Sequence, residues 1–192
     1  MLVSASAIGY YGARGDEPVD ESTPAGTGFL ADVCRAWEDE ARRAEAAGVR
    51  VVRVRLGVVL AAGGGALARM LPPFRAFVGG PIGSGTQWMS WVHRDDVIGL
   101  VRAALTDPSY RGAVNATAPA PVTNRDFAAV LGRVLRRPSW LRTPAIALRL
   151  AFGEMAEMLL TGQRVLPHVA EVRGYGWCHP DLESALRTSV AG

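Results

Sequence analysis

Apolar and polar positions follow two periods along this chain, and the switches between them mark its elements. Leu2 to Ile8 is a run of apolar and small residues ending at Gly9, the pattern of a buried strand that feeds a loop. Tyr10 to Gly28 is polar and carries Gly12, Gly15, Pro18, Pro24, Gly26 and Gly28, which predicts a long loop. Loops of that length usually serve a function. From Phe29 to Ala47 the residues Leu30, Val33, Cys34, Trp37 and Ala41 recur at helical spacing, with Gly48 following as a C-terminal cap. Val49 to Leu60 interleaves Val51, Val52, Val54, Leu56, Val58 and Val59 with arginines and predicts a strand. Strand, helix and strand in this order predict a right-handed crossover and parallel pairing.

Further on, Gly63-Gly64-Gly65 opens a second helical pattern, Ala66 to Val78, which Pro72-Pro73 interrupts. The triplet lacks both a following Lys-Ser/Thr and GxGxxG spacing, so it reads as a strand-to-helix turn in preference to a phosphate loop. Thr86 to Val92 alternates as a short strand, a helix begins at or beside Asp95 and runs through Leu105, and Ala113 to Thr117 is another small strand. Thr123 and Asp126 stand at capping-box spacing before a helix to about Leu135. Helical periodicity returns from Pro144 to Leu160 and from Asp181 to Arg187. A chain that opens directly on a parallel strand looks as though the elements before it are absent.

Composition narrows the function classes. The 192 residues are 49% hydrophobic and 20% charged, ordinary values for a globular protein. No apolar run approaches the roughly eighteen residues of a membrane span, and the first residues do not form a signal peptide. A cytoplasmic protein with no membrane partner is therefore expected. The 21 basic residues against 18 acidic ones give a net charge of +3, and the positives are scattered, so no nucleic-acid partner is expected either. Cys34 and Cys178 stand far apart, with no histidine cluster evident in the sequence, and predict neither a disulfide framework nor a metal centre. All 21 basic residues are arginine. Chemistry that needs a lysine ammonium is closed to this chain.

Taken in order, Ser4-Ala5-Ser6-Ala7-Ile8-Gly9-Tyr10-Tyr11-Gly12, Arg55-Leu56-Gly57, Ser90-Trp91-Val92-His93-Arg94-Asp95-Asp96-Val97 and Val114-Asn115-Ala116-Thr117 resemble the extended short-chain dehydrogenase/reductase superfamily. The resemblance is closest to an atypical, NAD(P)-dependent epimerase/dehydratase-like group whose members end in a small domain of unknown function. Gly162 to Pro167, Gly174-Tyr175 and His179 to Leu186 are similar to that ending. The resemblance implies an α/β fold: the later part of a Rossmann-like, doubly wound parallel sheet (residues 1–60 and 92–117) with a smaller, mostly helical substrate lobe (61–91 and 118–192). It also implies NADP or NAD as cofactor and a small-molecule, nucleotide-sugar-like substrate. Two departures are plain. The family's opening strand, GxxGxxG loop and helix, where the pyrophosphate sits, are missing, which suggests an N-terminal truncation and, as partner, either the missing half or a second copy in a homodimer. The family's Tyr/Lys pair, four apart on one helix face, also fails: with Glu38 as the acidic marker of that helix, Cys34 takes the lysine position and Leu30 the tyrosine position. A one-residue shift brings in Phe29, which serves no better.

The resemblance yields candidate catalytic residues Ser6, Tyr10 and Tyr11, candidate cofactor contacts Ser4, Ala5, Arg55, Leu56 and Gly57, and candidate substrate contacts Gln87, Trp91, His93 and Arg164. Each has a structural alternative. Ser6, or Ser4, either offers its hydroxyl to a substrate oxygen or closes a strand end. Tyr10 and Tyr11 either replace the lost phenol or pack as an aromatic pair, and without a neighbouring cation their pKa stays near ~10. Trp91 suits a core, His93 suits a helix cap, and Arg164, beside Gln163, either clamps an anion or sits in solvent. The function implied is an epimerase-like oxidoreductase with a reorganised site; the alternative is a nucleotide- or metabolite-binding module without turnover, or an inactive fragment.

Overall fold

The computed structural model describes residues 1–191, without the side chains of Ala151, Phe152, Glu154, Met155 and Met158. In chain order the strands are β1 (Leu2–Ala7), β2 (Pro18–Val19), β3 (Val51–Leu56), β4 (Val58–Leu60), β5 (Trp88–Met89), β6 (Trp91–His93), β7 (Gly112–Ala116), β8 (Val122–Thr123) and β9 (Arg164–Val165). The α-helices are α1 (Phe29–Arg43), α2 (Gly65–Arg75), α3 (Arg94–Thr106), α4 (Asn124–Leu135), α5 (Ala145–Phe152), α6 (Glu157–Leu160), α7 (His168–Val172) and α8 (Leu182–Ala191).

The organising element is a parallel sheet in the order β1-β3-β7, with Leu2 opposite Val51, Ala7 opposite Leu56, and Leu56 opposite Ala116. The β1-α1-β3 unit is the one the hydrophobic pattern predicts. Because side chains alternate across a strand, Val52, Val54 and Val114 point to one face, where they pack with Leu100 and Ala104 of α3 and Ala170 of α7. Ser6, Arg53 and Arg55 point to the other face, under α1. Helices on both faces make this an α/β, doubly wound arrangement.

Two runs expected to be single strands are each broken, for a visible reason. Gly57 divides Val49–Leu60: its N–H bonds Ala116 O of β7 at 3.0 Å, while the next amide, Val58 N–H, turns to Ser90 O at 2.8 Å. Consecutive amides thus serve different partners, and β4 leaves the main sheet to pair in parallel with β6. A Cβ at residue 57 would lie 2.4 Å from Ser90 O, so only glycine permits the crossing. Ser90 divides Thr86–Val92 in turn. Its hydroxyl donates to Gln163 O at 2.8 Å and accepts Val165 N–H at 2.9 Å, and β5 pairs antiparallel with β8.

The lobe core gathers Leu60, Leu67, Phe74, Trp91, Phe127, Leu131 and Leu186 from β4, β6, α2, α4 and α8. Thr123 caps α4 as predicted, its Oγ1 accepting Asp126 N–H at 3.2 Å. The glycine triplet is a turn into α2, which carries Pro72 and Pro73 exposed and stops at Arg75. The sequence did not suggest β2, β9 or α7. The last two bring the chain back from the lobe to the main sheet, and Tyr175 and Trp177 pack beside its α3 face. No described helix is long and apolar enough to cross a membrane.

Candidate functional site

Ligands of open parallel α/β sheets bind outside the carboxyl ends of the strands, and here β1, β3 and β7 end at Ala7, Leu56 and Ala116. Just inside those ends, under α1, lies a buried polar network centred on Glu38. Its carboxylate accepts Ser6 Oγ–H at 2.9 Å, Arg55 Nε–H at 2.7 Å and Nη2–H at 2.9 Å, and Arg53 Nη1–H at 3.1 Å. The third arm of Arg55, Nη1, donates to Tyr11 Oη at 2.9 Å, and Tyr11 donates onward to Asn115 Oδ1 at 2.7 Å. Arg55 also lies 3.5 Å from the centroid of the Tyr10 ring, a cation–π contact. The parts meet because Ser6 stands opposite Arg55 in the β1-β3 register, Arg55 stands opposite Asn115 in β3-β7, and Glu38 falls on the buried stripe of α1 with Ala31, Cys34 and Ala41.

The charges follow from this geometry. Burial works to raise the Glu38 pKa, but hydrogen bonding and charge from Arg55, with help from Ser6 and Arg53, outweigh it and hold the carboxyl below the usual range. Burial pushes the Tyr11 phenol up to about 12, and Arg55 only partly offsets it. The expectation that these tyrosines lack a neighbouring cation is therefore corrected. A cation is present, yet desolvation dominates and Tyr11 stays protonated. Cys34, one turn before Glu38 on the buried stripe of α1, is a thiol whose pKa burial raises. It is no replacement for a permanent cation.

Of the candidate residues, Ser6, Tyr10, Tyr11 and Arg55 thus come together, with the Ser6, Tyr11 and Arg55 polar atoms all directed at protein partners. Ser4 and Ala5 lie on β1, whose outer edge is unpaired among the described residues, and Ala5 is exposed. Leu56 is half-buried, and Gly57 is occupied by the strand crossing. Trp91 is a core residue with no exposed surface, its indole N–H donating to Ala120 O at 3.2 Å. Gln87 precedes Trp88 on the chain, and Arg164 lies beside the Trp88 ring. The Gln87 amide nitrogen donates to Ile82 O and Leu159 O, leaving Oε1 buried without a partner, and Arg164 lies 4.9 Å from the Trp88 ring centroid with Nε likewise unpartnered.

His93 caps α3, its Nδ1 accepting Asp95 N–H at 3.2 Å. The fold also brings His179 onto it, ring centroids 3.8 Å apart, with Asp95 Oδ2 3.6 Å from both His93 Nδ1 and His179 Nε2. A histidine cluster therefore exists that the linear sequence did not reveal. Burial first, then the neighbouring His179, lowers the His93 pKa. A neutral imidazole whose Nδ1 accepts a helix amide carries its proton on Nε2, so in this arrangement His93 has no free lone pair for a metal. Beside it, buried Asp96 accepts Cys178 N–H at 2.7 Å and His179 N–H at 3.0 Å, clamping the C-terminal segment to α3.

Sequence reasoning used Glu38 only as a marker and missed Asn115, Asp96 and His179. The signal for Glu38 was available, since it continues the buried stripe of an amphipathic helix opposite arginine-bearing strand positions. The His179 contact joins segments too distant for any local pattern.

Comparison with known proteins finds relatives along nearly the whole chain. Residues 143–189 match the family model "Domain of unknown function (DUF1731)". The chain is 49% identical over 187 residues to the chloroplastic epimerase family protein SDR39U1 homolog of Arabidopsis thaliana, covering 97% of this chain and 54% of that protein. It is 47% identical over 186 residues to the epimerase family protein Mb2239 of Mycobacterium bovis, covering 96% and 62%. The crystal structure of human epimerase family protein SDR39U1 (isoform 2) with NADPH superposes with a TM-score of 0.89 at 35% identity, over 99% of this chain and 65% of that one. The chain thus spans between 54% and 65% of the length of these relatives. Over the region it shares with them, the chain is similar to these epimerase family proteins, and its residues 143–189 carry the DUF1731 match.

Proposed function

We propose that the chain supplies the later Rossmann strands and the substrate lobe of an NAD(P)-dependent, epimerase-like oxidoreductase acting on a small polar molecule of nucleotide-sugar type. The main sheet with residues 1–60 and 92–117 forms the cofactor side, and 61–91 with much of 118–192 forms the substrate side. A nicotinamide cofactor supplies hydride transfer when bound. The residues available to meet it are Ser4 and Ala5 on the open-edge strand β1 and Leu56 at the carboxyl end of β3, while Arg55 and Gly57 act behind them by holding β3 in place. NADPH in the human relative supports this reading. Proton handling by the usual Tyr/Lys pair has no counterpart here, and Ser6 and Tyr11 serve as positioning residues.

The observation that carries the substrate reading is a pair of buried, unpartnered polar atoms, Arg164 Nε of the guanidinium beside the Trp88 ring and Oε1 of Gln87, the residue before Trp88 in sequence. Buried polar groups are ordinarily satisfied, and a ligand that donates a hydroxyl to Gln87 Oε1 and accepts from Arg164 Nε–H with an anionic oxygen satisfies both. Saturation-transfer NMR with UDP-glucose as probe tests it. Transfer to the probe is expected for the chain and lost in Arg164→Gln; no transfer, or transfer indifferent to that change, contradicts it.

The commitment of Ser6 and Tyr11 to Glu38, Arg55 and Asn115 favours a second reading, a binding module without turnover. The two part on one assay: an epimerase-like enzyme supplied with its Rossmann half oxidises bound NADPH in the presence of a carbonyl substrate, and a binding module does not.

A further inference from the structure

We propose that the end of the lobe formed by residues 77–83 and 136–150 docks on the surface of an anionic lipid bilayer. The two segments pack side by side: Arg137 stacks 4.4 Å from the centroid of the Phe77 ring, Gly80 lies against the Leu141 backbone, and Thr143 exchanges hydrogen bonds with Pro81 O and Gly83 N–H at 3.0 and 2.9 Å. Together they present large apolar side chains to solvent. Phe77 is 56% exposed, Trp140 75%, Ile146 71% and Leu150 85%. Large apolar side chains exposed on two segments packed side by side mark an interaction surface. Phe77 is also held at φ 64°, a left-handed conformation that a bulky residue adopts only under constraint. That turn holds the aromatic ring outward.

Charge identifies the occupant. Residues 127–153 contain five arginines, 133, 136, 137, 142 and 149, and no aspartate or glutamate; residues 61–91 contain Arg69 and Arg75 and again no acid. Arg133 and Arg149 pair with Glu183 and Glu157, while Arg136, Arg137 and Arg142 meet no described carboxylate. An indole, aliphatic side chains and unpaired guanidinium groups at one end of a protein are what an interfacial anchor needs, apolar groups at the acyl boundary and cations among anionic headgroups. The sequence expectation of no membrane partner rested on the lack of a spanning segment, and docking on a surface requires none.

Co-sedimentation with vesicles tests this. The chain is expected to pellet with phosphatidylcholine and phosphatidylglycerol in equal parts, to stay in solution with phosphatidylcholine alone, and to be released by salt. The double change Arg136→Gln and Arg137→Gln is expected to lower partitioning about 30-fold, at roughly fivefold per arginine. Ile146→Ser with Leu150→Ser is expected to weaken it as well, with circular dichroism confirming that these exposed changes leave the fold intact. Trp140 emission should shift to the blue on anionic vesicles, a shift absent in Trp140→Phe. Absence of sedimentation with anionic vesicles, binding unchanged by the arginine pair, or self-association abolished by Trp140→Glu with no lipid binding would each overturn the proposal, the last by assigning the surface to a second copy of the chain.

Discussion

Arg55 of β3 grips Glu38 of α1 at two points, Nε to Oε1 at 2.7 Å and Nη2 to Oε2 at 2.9 Å, in the layer where a helix and a sheet ordinarily press apolar side chains together. The same helix face holds Leu30 and Cys34, two turns and one turn before Glu38. In this layer the polar atoms of Ser6, Glu38 and Arg55 are directed at one another and at Tyr11 and Arg53.

Removing one partner of a buried ion pair leaves the other uncompensated, at a cost of about 3–5 kcal/mol. Glu38→Ala strands both Arg53 and Arg55 and is expected to lie in that range by urea denaturation. A loss below about 1 kcal/mol would place the network in water-accessible surroundings.

The acid side of the stability profile carries the same signature. Glu38 is depressed below its ordinary 4.5, so its stabilisation is fully present above that value and is lost as pH falls through the lower folded value. Glu21, raised by burial, acts with the opposite sign, gaining stability as it protonates. Glu38→Gln is expected to flatten the acid limb below pH 4.5, and melting temperatures that fall in parallel for both proteins there would contradict this.

Asp96 fastens the C-terminal segment that carries the DUF1731 match. Replacing it with alanine leaves the Cys178 and His179 amides unpaired, each charge-assisted bond being worth about 1.5–3 kcal/mol. Hydrogen exchange is expected to rise at Cys178 and His179 first, with the β1-β3-β7 sheet unchanged. Uniform loss of protection would mean that the tail is no separable unit.

The unpaired edge of β1 invites strand addition. Light scattering should show concentration-dependent association, reduced by Ala5→Lys on the exposed side of that strand. A clean monomer at high concentration would show that the edge is protected.

The sequence makes β1, α1, the start of β3, α3 and capped α4 legible because each is a local matter of period and caps. The break at Gly57 is illegible there, since it arises from Ser90 O occupying the place of a side chain. The pairing of β2 with β9 also joins segments remote in sequence. Ser6 and Tyr11, candidates for catalysis, and Arg55, a candidate cofactor contact, come together in the fold, but where their polar atoms point depends on Glu38 and Asn115. His93 as a cap could be read from the helix start, whereas its stacking on His179 could not.

The measurement that reaches the central claim most directly is the ionisation of Tyr11, followed by NMR with tyrosine labelled at the ring carbon bearing the hydroxyl and assigned by Tyr11→Phe. A phenol whose work is to join Arg55 to Asn115 in a desolvated layer keeps its neutral signal through pH 10 and moves only near 12. A Tyr11 that titrates below 10 would be a phenol activated by Arg55 for proton transfer, and the network would then be catalytic machinery.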